Sequence, residues 1–168
     1  RLLQGDVGSG KTIVALFSIL NVIENNKQAA LMAPTEILAE QHYINIKELT
    51  KGLNLNIEFL SGKIKGKKKD QLLKKLEDKQ VDLLIGTHAL FQDKVIFNDL
   101  ALVVIDEQHR FGVEQRMALS NKGDNVDILL MTATPIPRTL TLSIYGDMDC
   151  SYLKEKPANR KKIDTRVL

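Results

Sequence analysis

Gly5-Asp6-Val7-Gly8-Ser9-Gly10-Lys11-Thr12 follows the apolar pair Leu2-Leu3 and runs into Ile13-Val14-Ala15-Leu16-Phe17. A strand-like run, a glycine-rich turn and an amphipathic segment in that order form a strand-turn-helix unit built to hold phosphate. Glycine takes positive φ without steric cost and lets the backbone come close to an anion, so successive N–H groups and the helix N-terminus face the ligand. The octet satisfies G-x-x-x-x-G-K-[ST] in full. Gly5, Gly8, Ser9, Gly10, Lys11 and Thr12 are therefore the expected nucleotide contacts. Lys11 would place its charge on the β/γ-phosphates, and the Thr12 hydroxyl would ligate Mg²⁺. A glycine-rich turn of chance composition is the competing explanation, and the complete match in strand-to-helix context argues against it.

Phosphoryl transfer also needs a carboxylate for the metal and a group to orient water. Leu102-Val103-Val104-Ile105-Asp106-Glu107 supplies both, at the end of a buried strand expected to neighbour the phosphate-loop strand. Two acids there cost desolvation unless a cation offsets it. Asp106 is the expected metal ligand, directly or through water, and Glu107 the residue that polarises the attacking water. By itself an Asp-Glu pair is equally a helix N-cap; the phosphate loop upstream tips the balance.

Around these motifs, short Val/Ile/Leu runs alternate with helical spacing, the signature of a parallel sheet with crossover helices. Strands are expected at Arg1-Leu3, Ala29-Ala33, Leu53-Leu60, Val81-Ile85, Leu100-Ile105 and Ile128-Met131. The period-two pattern of Leu53, Leu55, Ile57 and Phe59 predicts a strand covered on one face. Ile13, Leu16, Phe17, Leu20 and Ile23 form one helical stripe, and Leu72, Leu73 and Leu76 another, both read as core packing. The expected architecture is a doubly wound α/β domain over residues 1–153, with ligands at the carboxyl ends of the strands. Residues 154–168 turn polar and basic and read as a linker entering a second domain. The chain starts almost inside a motif without an initiator Met, as if excised from something longer.

Composition sets the outer bounds. In 168 residues, 43% are apolar and 27% charged, ordinary for a globular fold that needs no staples. Aromatics make up 5% with no Trp, which argues against a stacking platform for single-stranded bases. Cys150 is the only cysteine, and His42, His88 and His109 have no ligand-like spacing. A disulfide framework is excluded and a zinc site is not expected. No stretch of about 20 apolar residues occurs, so no membrane span is expected, and a reducing, cytoplasmic setting fits. The net charge of +3 is local in origin: residues 63–79 hold eight Lys, and residues 154–166 hold six Lys/Arg. Such patches attract phosphate backbones, although an exposed lysine run is by default a solvated face.

Further blocks narrow the reading. Asp106-Glu107-Gln108-His109 resembles the DExH form of motif II in superfamily 2 helicases. Met32 to His42 resembles motif Ia, Gly86 to Phe91 motif Ib, and Thr132-Ala133-Thr134-Pro135 motif III, all in family order. With Asp106 to Arg116 and Met131 to Leu140, the blocks together resemble the RecG branch-migration helicases over nearly the whole chain. Transcription-repair coupling factors share the Phe-Gly-Val and Pro-Ile-Pro-Arg-Thr-Leu blocks, but Ser9 and Gln108 side with RecG. Ala158-Asn159 departs from the more usual Pro-Gly and concerns only linker geometry.

The resemblance implies a RecA-like phosphate-loop NTPase lobe of an ATP- and Mg²⁺-dependent translocase on forked or branched double-stranded DNA. Gln108 and His109 would sense the γ-phosphate, with Thr132 and Thr134 as the relay. Pro34, Thr35, Gly86 and Thr87 would approach the DNA backbone, where small residues and exposed N–H groups contact phosphate without reading sequence. Arg138 would either touch DNA or brace a loop. The arginine finger, the second RecA-like lobe and the fork-splitting wedge have no counterpart in these residues, so slow turnover is expected of this stretch alone. A SecA-like protein-translocating motor and a non-catalytic nucleotide sensor are the competing classes. The Pro135 to Leu140 block speaks against the first, and the intact Lys11, Thr12, Asp106 and Glu107 against the second.

Overall fold

The computed structural model describes residues 1–106, 122–123, 125–134 and 148–155, apart from the side chain of Phe91. Along them run β1 (Leu2–Gly5), α1 (Lys11–Glu24), β2 (Gln28–Met32), α2 (Glu36–Leu49), β3 (Ile57–Leu60), α3 (Lys67–Glu77), β4 (Leu83–Gly86), β5 (Leu100–Ile105), β6 (Asp127–Thr132) and β7 (Cys150–Leu153), with a 3-10 turn at His88–Phe91. The strands form one seven-stranded sheet in the order β3-β4-β2-β5-β6-β1-β7, and every pairing is parallel. This is the expected doubly wound α/β architecture, and all carboxyl ends share one edge of the sheet.

Near-continuous apolar strands are needed because both faces of the sheet are covered. Ala15, Leu16 and Ile19 of α1 and Ala39 and Ile46 of α2 pack with Ala29, Leu31, Leu102 and Val104 on one face. On the other, Leu72 and Leu76 of α3 pack with Ala30, Met32, Val103 and Ile105. Alternate strand residues thus serve opposite layers. Gln28 ties the lower edge together. Only 1% exposed, it donates from Nε2 to the carbonyls of Leu76 (3.0 Å) and Val81 (2.8 Å). Its Oε1 accepts from the backbone N–H groups of Asn98 (2.8 Å) and Asp99 (3.0 Å).

Several expectations need correction. In α1 the inward face is Ala15, Leu16 and Ile19, whereas Ile13 and Phe17 are 40% and 68% exposed. That helix is apolar most of the way round, so spacing alone did not fix its phase. β3 begins at Ile57, because Lys51–Leu55 forms turns instead, with Leu53 N–H donating to Thr50 and Leu55 N–H to Leu53. Nor is β3 covered on one face only: Ile57 packs against the α1/α2 layer and Leu60 is buried in the opposite one. The sequence reading contained no β7. Finally, β6 lies between β5 and β1, so the strand ending at Asp106 is not the immediate neighbour of the phosphate-loop strand.

The expected stripe on α3 holds, with Leu72 and Leu76 buried and Leu73 partly so. The lysine run is largely exposed around that helix, with local partners at Gln92 (Lys69), Glu58 (Lys75) and Asp99 (Lys79). Among the described residues no helix is long and apolar enough to cross a membrane. Lys154 and Glu155 follow β7 without regular structure, and the rest of the proposed linker lies outside the described residues.

Candidate functional site

The phosphate loop leaves β1 at Gly5 and enters α1 at Lys11. Gly8 and Gly10 both take positive φ, 80° and 91°, in the left-handed region that a side chain disfavours. Gly5 is required for a different reason. A Cβ there would meet Ser9 Oγ at 2.4 Å and Leu153 Cβ at 3.0 Å. Gly10 is the N-cap of α1, which has neither a side-chain cap nor an acidic residue in its first turn. That helix end therefore keeps its partial positive charge for an external anion.

Lys11 Nζ donates to the carbonyls of Gly5 (2.8 Å) and Asp6 (3.0 Å), so the ammonium is held over the loop. Ser9 Oγ is buried with no hydrogen-bond partner among the described residues. A buried hydroxyl without a partner carries a desolvation cost that an incoming phosphate oxygen would relieve. An orphaned hydroxyl, an uncapped helix end and a lysine inside one turn suit a polyphosphate.

Asp106 stands one residue past β5, its N–H donating to the Met32 carbonyl (2.8 Å). Two strand spacings across β6 separate β5 from β1, about 10 Å, a gap that accommodates a phosphate and a metal. The end of β6 fills its floor. Thr132, 1% exposed, shares a hydroxyl contact of 2.9 Å with Thr134, and the Thr134 N–H donates to Thr132 Oγ1 (3.2 Å). Among the described residues no cluster of three or more His, Cys, Asp or Glu could hold a metal. Magnesium needs no such cage, since it binds through one or two protein oxygens plus phosphates and water. Thr12 and Asp106 suit that donor set.

One contact was not legible in the motifs. His42 Nε2 lies 2.7 Å from Asp106 Oδ2, with side chains 11% and 13% exposed. His42 occupies an inward position of α2, in line with buried Ala39 and Ile46.

The expected DNA contacts divide. Pro34 and Thr35 are half-buried at the end of β2, and Thr35 already works as the N-cap of α2, accepting from the Leu38 N–H (3.3 Å). At the end of β4, Gly86 is buried and Thr87 is 5% exposed, with exposed His88 beside them. Gly86 has a packing reason as well, because a Cβ would meet the Leu60 carbonyl oxygen at 2.7 Å. Glu107, Gln108, His109 and Arg138 lie outside the described residues.

Comparison with known proteins follows the same lines. Residues 1–142 match the family model described as DEAD/DEAH box helicase. The chain is 54% identical over 98% of its length to the ATP-dependent DNA helicase RecG of Pasteurella multocida, covering 24% of that protein. It is 53% identical to that of Bacillus subtilis, again covering 98% of this chain and 24% of the relative. The chain thus spans about a quarter of the length of these relatives. Among solved structures, RecG bound to a three-way DNA junction superposes with a TM-score of 0.82 at 48% identity, covering 97% of this chain and 22% of that one. A DEAD box protein from Methanococcus jannaschii matches with a TM-score of 0.68 at 26% identity, covering 92% of this chain and 45% of the other.

Proposed function

The chain belongs to the DEAD/DEAH box helicase family, and on that footing we propose that it is the ATP-binding motor lobe of a RecG-type double-stranded DNA translocase acting on forked or branched DNA in repair and recombination. One observation carries the reading: the uncapped N-terminus of α1, with Lys11 over the loop, shares a sheet edge with Asp106. The loop amides from Gly8 to Thr12 bind the polyphosphate, Lys11 the β/γ-phosphates, and Thr12 and Asp106 hold Mg²⁺. Bound there, the ion would neutralise charge on the transferring phosphoryl group. Glu107 orients water, while Gln108 and His109 sense the γ-phosphate and pass its state on through Thr132 and Thr134. Pro34 and Thr35 approach the DNA backbone. At Gly86 and Thr87, both buried, contact falls to the backbone and to His88 beside them.

A second RecA-like lobe and a fork-splitting wedge are the partners this function calls for. Slow turnover by residues 1–168 alone goes with it, since the arginine finger comes from the other lobe. A cytoplasmic setting belongs to this reading. A transcription-repair coupling translocase or a SecA-like motor would use a similar lobe, but the relatives quoted above are named as RecG.

The test is ATP turnover by the full-length protein with forked, duplex and single-stranded DNA, wild type against Lys11→Ala. Stimulation greatest with forked DNA, and lost in the variant, is expected. Stimulation by unfolded polypeptide instead of DNA would refute the assignment.

A further inference from the structure

The contact between α2 and the end of β5 joins the helix that starts at the proposed DNA-facing corner to the proposed metal-binding carboxylate. His42 sits where the spacing of Ala39 and Ile46 calls for an apolar side chain, and it is 8% exposed. Burying an imidazole there costs free energy unless its ring nitrogens find partners. The partner found is the Asp106 carboxylate, at 2.7 Å from Nε2. An N–H donor on one carboxylate oxygen fixes the rotamer of the side chain, the arrangement by which outer groups orient metal ligands.

We propose that His42 is the positioning residue for Asp106, and that through it the helix capped by Thr35 is mechanically tied to the magnesium-binding carboxylate. The inference rests on the readings of Asp106 as a metal ligand and of Pro34 and Thr35 as DNA contacts. Seven residues separate Thr35 from His42 along one helix, about 10 Å of rigid rod. A displacement of the Pro34–Thr35 corner by DNA therefore moves the Nε2 donor and with it the carboxylate. Asp106 is bound to the same chain region a second way, by its N–H on the Met32 carbonyl at the end of β2. Backbone and side chain of Asp106 thus both answer to the β2–α2 segment.

The experiment measures binding of a fluorescent ATP analogue to the full-length protein as Mg²⁺ is titrated, with turnover on forked DNA measured in parallel. In His42→Ala the Mg²⁺ concentration for half-maximal effect should rise about tenfold or more, while metal-free nucleotide binding stays unchanged. His42→Gln, whose amide N–H can reach the place of Nε2, should restore most of the difference; His42→Asn, too short to reach, should not. The Gln/Asn comparison keeps the test valid if the alanine variant fails to fold. Excess Mg²⁺ should recover nucleotide binding in His42→Ala but not its full stimulation by DNA. An unchanged Mg²⁺ requirement in His42→Ala, with Asp106→Ala shifted, would overturn the role of His42 alone. If Asp106→Ala is also unshifted, the metal-ligand reading falls with it.

Discussion

Lys11 Nζ lies 2.8 Å from the carbonyl oxygen of Gly5, so the lysine that would meet the phosphates already spans the turn it belongs to. A γ-phosphate competes with two carbonyls for this ammonium and wins on charge, because it offers full negative charge where a carbonyl offers only a dipole. Lys11→Ala should therefore lower turnover by about a hundredfold or more while costing only about 1 kcal/mol of stability. Steady-state kinetics beside urea unfolding separates the two effects.

Gly5 and Gly10 should respond differently to alanine. At Gly5 the new Cβ would press on Ser9 Oγ and Leu153 Cβ. Turning the Ser9 hydroxyl away still leaves Ser9 Cβ 3.3 Å from the new atom, and Leu153, in the adjacent strand β7, cannot move; a loss of about 1–3 kcal/mol follows, together with weaker nucleotide binding. At Gly10 nothing lies within 4 Å of the added atom, and the cost is the left-handed backbone alone, about 1–2 kcal/mol. The sharper contrast is rescue. Ser9→Gly should recover part of the Gly5→Ala loss and none of the Gly10→Ala loss, read by thermal melting.

Gln28→Leu tests the buried amide. Substitution leaves the Val81 carbonyl and the Asn98 and Asp99 N–H groups without this partner, while the Leu76 carbonyl keeps the Lys79 N–H. Orphaned buried groups cost about 1–3 kcal/mol each, and partial solvation of this edge brings the expected total to about 2–4 kcal/mol. Chemical denaturation checks it. Turnover per folded molecule should be unaffected, since Gln28 stands at the amino end of β2 and the site at the carboxyl ends of the strands.

Asp99 gives a pH signature. Hydrogen bonding from Lys27 first, and then from Lys79, holds its carboxyl below the usual carboxylate range. A depressed folded-state pKa contributes stability above the unfolded value, lost as pH falls through the folded one. Asp99→Asn should thus be slightly less stable than wild type at neutral pH, and the gap should close in acid, below about pH 4. Melting curves from pH 7 to pH 3 would record it; a gap that widens in acid would contradict the assignment.

How much of this was legible in the sequence depends on whether a signal is local. The phosphate loop was, because positive φ and charge are demanded residue by residue, and β5 was, because Leu100 to Ile105 is apolar on both faces. The phase of α1 was not, since Ile13 and Phe17 are as apolar as the residues that turned inward. β7 escaped because an edge strand such as Cys150-Ser151-Tyr152-Leu153 needs little hydrophobicity. The insertion of β6 between β5 and β1 and the meeting of His42 with Asp106 are tertiary facts. Motif blocks that brought both residues to notice gave no sign that they touch.

The central claim is that the loop from Gly8 to Thr12 and the carboxylate of Asp106 act on one magnesium-bound triphosphate. A crystal structure of the full-length protein with a non-hydrolysable ATP analogue and Mg²⁺ tests it most directly. The expected result is a metal ion held by Thr12 Oγ1 and the phosphates, with Asp106 bound to it directly or through one water. A triphosphate seated elsewhere, or a metal shell without Asp106 in reach of even a bridging water, would contradict it.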